Sequence, residues 1–343
     1  MKRRLVGMLG LAIVVVALVL FGGRWWLQRS LHTRGPASAA IQFHVVAGAS
    51  LHTVLARLQD LGALHDARMI NLAIRVGGSH PKIRAGSYEI PAHASPAEIM
   101  DLLVAGRVLL RSLTVVEGST FTELRRAIEQ RRDILQTLRA LDAPELMAAL
   151  GHPGEQPEGR FFPDTYRFAE GSTDREVLQL AYRQMNDLLA ALWSGRAANL
   201  PLRSPYEALT LASVVEKETA QANERAVIAG VFVSRLRQGM RLQSDPTIIY
   251  GLGAAYDGDI RTRDLQTDGP YNSYTRDGLP PTPICLPGRA ALEATLHPRE
   301  DGSLFFVAAP DGKGSHVFSR DYASHQAAIR RMLAGQRSRG LIR

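Results

Sequence analysis

Cysteine is almost missing from this chain: 343 residues include one, Cys285. That excludes a disulfide within the chain and any zinc site built from several thiolates. The fold must be held by its core alone. Charge is sparing too, at 22% of residues against 45% hydrophobic, a balance that fits a globular rather than a disordered chain. Several catalytic signatures are absent. There is no HExxH, no GxSxG and no Walker A sequence, and Asp311-Gly312-Lys313-Gly314 lacks the spacing of a phosphate loop. The ten histidines are scattered rather than set at metal-ligand spacing. No zinc-finger or aromatic RNA-binding signature is present. A metal site is therefore possible but not signalled, and nucleic acid is disfavoured. Cys285, within Pro283-Ile284-Cys285-Leu286-Pro287, admits two readings, a nucleophile or a small apolar filler; no histidine adjoins it.

What the chain does have is a long apolar run. Residues 5–23 are uncharged and mostly apolar, directly behind Lys2-Arg3-Arg4 and ahead of Trp25-Trp26. At ~1.5 Å per residue the run reaches just under ~30 Å, the apolar thickness of a bilayer. The basic start and the interfacial tryptophans predict a single-pass anchor with its N-terminus inside, although Arg24, Arg29 and Arg34 lie on the other flank. A cleavable signal peptide competes, but its apolar region is normally ~7–15 residues with small residues close behind. Ala37-Ser38-Ala39 is the nearest such site. Both readings export the body of the protein. The formal net charge of +8, with Arg330, Arg331, Arg337, Arg339 and Arg343 near one end, suits an anionic polymer or membrane surface.

The remaining chain divides by pattern. Residues 1–4 are expected inside, 24–40 as a linker and 41–110 as a compact α/β unit. Residues 111–200 should be a largely helical region, 201–330 a larger core and 331–343 a basic tail. Ser50 is placed to cap a helix carrying Leu51, Val54, Leu55, Leu58 and Leu61, and Ser95-Pro96-Ala97-Glu98 starts another. Residues 45–51 parallel 115–121, both strand–Gly–Ser/Thr–helix. A duplication and a frequent local solution both account for this. Residues 157–166, rich in Pro, Gly and aromatics, form an ordered loop that either lines a cleft or plugs the core.

The chemistry concentrates between 204 and 274. Ser204-Pro205-Tyr206-Glu207 is a helix start. At ~100° per residue, Glu218 falls on the arc of Leu211, Val214 and Val215, while Glu216 points the other way with Leu209, Ala212 and Ser213. Apolar neighbours and a helix C-terminus both favour a neutral carboxyl at position 218, the state needed to protonate a glycosidic oxygen. Two solvated glutamates flanking Lys217 are the competing reading. Downstream, turn-rich segments carry the amide, hydroxyl and aromatic groups that carbohydrate binding uses. His316, after a strand over 304–308, reads as a substrate contact, a partner that tunes the acid, or a structural histidine.

These segments in order carry a resemblance. Glu158-Gly159 with 162–166, the helix 211–219, and 240–247 running to Tyr250-Gly251 stand first. Tyr271-Asn272-Ser273-Tyr274, Gly278-Leu279-Pro280-Pro281 and Gly314-Ser315-His316 follow. Together they resemble the YceG-like endolytic murein transglycosylases over essentially the whole chain. Arg160 and Ser244 stand where other hydrophobic or hydroxyl residues are common in that family.

The resemblance implies an α+β fold with one N-terminal transmembrane helix, a small LysM-like α/β unit over 41–110 and a larger α+β catalytic domain. It implies a lyase, without metal or cofactor, cutting the MurNAc–GlcNAc bond inside nascent peptidoglycan and leaving 1,6-anhydro ends. Glu218 matches the family's catalytic acid, and Gln243, Asp245, Asn272, Tyr274 and His316 are expected to line the cleft. The implied partners are peptidoglycan glycan strands, the cytoplasmic (inner) membrane and peptidoglycan synthases, with the catalytic domain on the outer side. A non-catalytic glycan-binding scaffold and a water-using glycan hydrolase are the alternatives.

Overall fold

The computed structural model describes residues 2–46, 48–78, 81–311 and 313–339, with side chains from residue 14 onward. Ala47 of the repeated segment and Gly312 of the glycine turn lie outside these. The chain forms two units, 1–111 with 167–172, and 112–166 with 173–343.

The first unit runs α1 (Lys2–Leu31), β1 (Ile41–Val45), α2 (Leu51–Asp60), α3 (Ala67–Val76), β2 (Gly86–Ile90) and α4 (Pro96–Ala105), with β3 (Leu110–Thr114) beginning in it. The expected anchor, 5–23, lies within α1, but the side chains of 5–13 are outside the described residues. Among the described residues no helix is long and apolar enough to cross a membrane. The expected linker needs correcting. Residues 24–31 continue α1 as helix, because Leu31 packs against the unit's core and Arg24 Nη1 donates to Val76 O at 2.7 Å. Beyond the helix the chain is still tied, with Gly35 N donating to His93 O and His93 N to Ala37 O.

β1 and β2 pair antiparallel, Phe43 opposite Tyr88, with α2 and α3 between them in sequence. The alternating burial of β1 puts Phe43 and Val45 inward, where they meet Leu55, Leu58, Ile70, Ile99 and Leu103. Leu58 and Leu103 are completely enclosed, which stabilises the unit by roughly 1.5–3 kcal/mol each. Ser50 caps α2 and a Ser95–Glu98 capping box starts α4, as their sequences require.

The second unit holds α5 (Phe121–Glu129), α6 (Ala143–Leu150), β4 (Thr165–Ala169, of which 165–166 belong here) and α7 (Asp174–Ser194). Next come α8 (Pro205–Glu218), α9 (Arg225–Arg237), α10 (Asp245–Leu252), α11 (Thr262–Gln266) and α12 (Arg289–Leu296). The chain ends with β5 (Phe305–Ala308), β6 (His316–Ser319) and α13 (Tyr322–Ser338). The expected tail from 331 is thus helical as far as Ser338. The repeated strand–turn–helix segments share a local geometry: Gly48 and Gly118 have φ of 78° and 75°, and Ser50 and Thr120 both cap. Their strands differ in partner, β1 joining β2 and β3 joining β4, so the shared feature is the turn.

α8 is the axis of this unit. Every residue from Ala208 to Val215 is buried. One face, with Leu209 and Ala212, packs on Met185 and Leu189 of α7 and Leu292 of α12. The other, with Leu211, Val214 and Val215, packs on Ile228, Phe232 and Val233 of α9. A helix apolar on both faces must be central. The aromatic loop plugs the core: Phe161 is fully buried, stacked on Phe121 at 5.4 Å and edge-on to Tyr182 at 6.1 Å.

Candidate active site

Glu218 is the last residue of α8, on the face turned towards α9. The helix ends there because Thr219 turns to extended backbone and its hydroxyl accepts from Gln221 N at 2.9 Å. Burial pushes the Glu218 carboxyl up to about 7. A hydrogen bond from the Ser244 hydroxyl opposes this, the negative charge of Asp245 adds to it, and the charge of Arg235 opposes it. Desolvation wins because a carboxylate in an enclosed site loses more hydration than one hydroxyl restores. Glu218 therefore keeps its proton up to about pH 7.

Glu216, two residues earlier, faces the other way. It accepts from Gly288 N at 3.0 Å and lies 3.7 Å from the Arg225 guanidinium, joining α8 to the start of α12. Burial pushes the Glu216 carboxyl above the ordinary range, while the Gly288 amide and Arg225 oppose. The two glutamates do not form a pair, in keeping with their helical spacing.

The segment before α10 reaches Glu218 through side chains that hold each other. Gln243 sits at φ 50°, in the left-handed region that a non-glycine residue adopts only when its surroundings hold it there. Its amide donates to Ser273 O at 3.1 Å, and the Ser244 amide to Ser273 Oγ at 2.9 Å. Thr247 Oγ1 lies 2.8 Å from Ser273 Oγ and donates to Ser244 O at 2.7 Å. Arg235, buried on α9, fastens the same segment, with Nη1 donating to Leu242 O at 2.6 Å and Nε to Leu304 O at 2.7 Å.

Of the five expected cleft residues, the structure groups three around this point. Gln243 and Asp245 flank Ser244 and are exposed, and the Tyr274 hydroxyl donates to Asp245 Oδ1 at 2.6 Å. Burial and the Asp245 carboxylate push the Tyr274 phenol well up, so it stays a donor.

Asn272 is placed differently from expectation. It is 6% exposed, its amide donates to Asp264 O, Leu265 O and Thr267 O, and its carbonyl accepts from Tyr274 N at 2.8 Å. With both amide hydrogens and one carbonyl lone pair used on the chain itself, Asn272 shapes the loop that presents Tyr274. His316 does not bond Glu218 among the described residues. Its Nδ1 lies 2.7 Å from Glu224 Oε2, and Glu224 Oε1 accepts its amide at 3.0 Å. That ties β6 to the chain that follows Glu218.

Sequence reasoning missed Ser244 and Arg235 as site residues. Serine before Asp-Pro reads as an ordinary helix cap, and a bond to a carboxyl 26 positions away leaves no local signal. It named Glu158 as part of the family pattern but gave it no role; Glu158 is buried, accepts from Phe121 N at 2.9 Å and Tyr250 Oη at 3.0 Å, and is pushed by burial to about 7. Gly159 beside it has φ 79°, and a Cβ there would lie 2.5 Å from Pro283, so no other residue fits. Cys285 is the apolar filler: it is fully buried, its thiol donates to Ser213 O, and burial pushes it far from ionisation. Among the described residues no group of three or more His, Cys, Asp or Glu side chains is gathered so as to hold a metal ion.

Known proteins resemble this chain along most of its length. An endolytic murein transglycosylase of Bacillus subtilis (strain 168) is 26% identical over 341 residues, covering 93% of this chain and 92% of that protein. One of Streptococcus pneumoniae serotype 2 (strain D39) is also 26% identical; the match covers 86% of this chain and 60% of that longer protein. The crystal structure of a YceG-like protein from Listeria monocytogenes matches with a TM-score of 0.54 at 26% identity, over 85% of this chain and 99% of that one. Residues 43–331 match the model of the YceG-like family, and the chain belongs to that family.

Proposed function

We propose that this chain is an endolytic murein transglycosylase, anchored in the inner membrane by the apolar run at 5–23, with Glu218 as its acid and base. The observation that carries the reading is a carboxyl held near pH 7 by burial at the end of a central helix, beside the exposed Gln243 and Asp245. The names of the relatives support the substrate and the reaction. The β1–α2–α3–β2 order supports reading 41–110 as a LysM-like glycan-binding unit. Coupling to peptidoglycan synthases goes with the same reading.

Glu218 in its neutral form donates its proton to the glycosidic oxygen as the bond from MurNAc C1 breaks. The C6 hydroxyl of the same sugar then attacks C1, and the Glu218 carboxylate takes its proton. The product is a 1,6-anhydro ring and the carboxyl is neutral again. One carboxyl serves both steps, and an attacker within the same sugar has the effective molarity of an intramolecular reaction. Many hydrolases instead use a second carboxyl, at ~5–9.5 Å from the first. Asp245, the nearest candidate, is bonded to the Tyr274 hydroxyl, an arrangement suited to holding the sugar.

Mass spectrometry of purified glycan strands after digestion tests this. The wild type should give anhydromuramic ends and Glu218→Gln intact strands. Reducing ends would make the enzyme a hydrolase. Undiminished cleavage by Glu218→Gln would remove the acid assignment and leave the fold a glycan-binding scaffold.

A further inference from the structure

The two oxygens of Glu218 have different surroundings, and Ser244 makes the difference. Ser244 stands at the N-cap of α10, where a serine ordinarily turns its hydroxyl back onto the helix's own amides. Here that bond is not made. The hydroxyl donates instead to Oε1 of Glu218. Forgoing the cap leaves the first amides of α10 without that acceptor, and the choice is built in from several sides. The Ser244 amide is held by Ser273 Oγ, its carbonyl by Thr247 Oγ1, and Gln243 before it carries a left-handed backbone. Ser244 is 1% exposed, so its hydroxyl points at the carboxyl and not at solvent.

We infer that Ser244 is a positioning residue that sorts the two oxygens of Glu218: Oε1 accepts the serine hydroxyl throughout, and Oε2 carries the proton to the leaving oxygen and back from the attacking hydroxyl. This rests on the reading of Glu218 as the acid and base. A neutral carboxyl has one hydroxyl oxygen and one carbonyl oxygen, and an oxygen already facing a donor hydrogen is the one that stays unprotonated. After the first transfer the same hydroxyl stabilises the carboxylate. The other charged or titratable groups around Glu218 are Arg235 from α9, Asp245 from α10 and Tyr274 from the 271–274 loop. Of these, none donates a hydrogen bond to Glu218 among the described residues, so the task falls to Ser244.

The test compares pH profiles of strand cleavage by the full-length protein and by Ser244→Ala, Ser244→Thr and Ser244→Cys. A donor to a charged group contributes about 10- to 100-fold, so Ser244→Ala should lower kcat by that factor with KM within about twofold. Without the donor the anion is less favoured, so the alkaline limb of kcat/KM should move up by about one pH unit. Ser244→Thr, which keeps the hydroxyl, should restore both. If the alanine variant does not fold, Ser244→Cys decides, because its weaker donor must shift the limb the same way. A limb that stays in place in every folded variant overturns the inference, whatever happens to stability. Glu218→Gln separates the two ideas. If it is inactive while the serine variants leave the profile untouched, only the role of Ser244 is lost; if it is active, the acid assignment goes first.

Discussion

Two carboxyls in the larger unit are driven to about pH 7 by the same force, and their surroundings could hardly differ more. Glu158, in the aromatic loop, has both oxygens occupied, Oε1 by the Phe121 amide and Oε2 by the Tyr250 hydroxyl. It is 6% exposed. Glu218, at the open end of α8, has one oxygen bonded among the described residues and keeps part of its surface in solvent. A raised carboxyl is thus no mark of catalysis by itself. Burial supplies the proton in both places, but a proton can be passed to a substrate only where an oxygen is left free and a route to solvent exists.

The sharpest way to break this comparison is to neutralise each carboxyl in turn. Glu218→Gln should lower strand cleavage by at least ~10³-fold, within the range of a general acid–base group, and leave the fold intact. Glu158→Gln keeps an acceptor for the Phe121 amide, and its cleavage rate should stay within about tenfold of wild type. Equal losses in the two variants would mean that Glu158 shares in the proton transfer.

Glu158 should instead reveal itself in stability. Its carboxyl ionises at about 7 in the folded chain, above the ordinary value of 4.5. Between those values the folded state keeps a proton that the unfolded state has released. Stability from this group is therefore highest below pH 4.5 and is lost as pH rises through 7. The loss amounts to about 3 kcal/mol. Unfolding of wild type and Glu158→Gln at a series of pH values measures it. The advantage of the glutamate over the glutamine should shrink by that amount between pH 4.5 and 8, and parallel pH dependences would sink the idea.

How far the sequence revealed each region follows from the range of the interactions. Caps, strand alternation and the opposed directions of Glu216 and Glu218 are fixed within one turn of helix, and the sequence displays them. The central position of α8 was less visible. The sequence distinguishes an apolar and a less apolar arc, yet α7 and α12 cover the second as fully as α9 covers the first. The Ser244–Glu218 and Glu158–Tyr250 bonds span 26 and 92 positions, and no local pattern encodes them. The extension of α1 into 24–31 was hidden for the same reason: the contacts that hold it, Arg24 to Val76 and Leu31 on the core, are made by chain far downstream.

Within the 271–274 segment a similar contrast recurs at smaller scale, between a side chain bonded to the backbone and one bonded to an exposed carboxylate. Asn272 joins four backbone positions through one side chain, so Asn272→Ala should cost about 2–3 kcal/mol of stability, with cleavage falling only as the loop loosens. Among the described residues the Tyr274 side chain makes one hydrogen bond, to the exposed Asp245. Tyr274→Phe keeps the ring, so thermal melting should move little, by less than about 1 kcal/mol. It does free Asp245 to swing and to press its charge harder on Glu218. That charge opposes the carboxylate which forms after the first proton transfer, so kcat should fall by about three- to tenfold, while the alkaline limb moves upward by a fraction of a pH unit. If Tyr274→Phe instead loses stability as Asn272→Ala does and keeps its kcat, the tyrosine belongs with the asparagine to the framework, and the site is narrower than Gln243, Asp245 and Tyr274 together suggest.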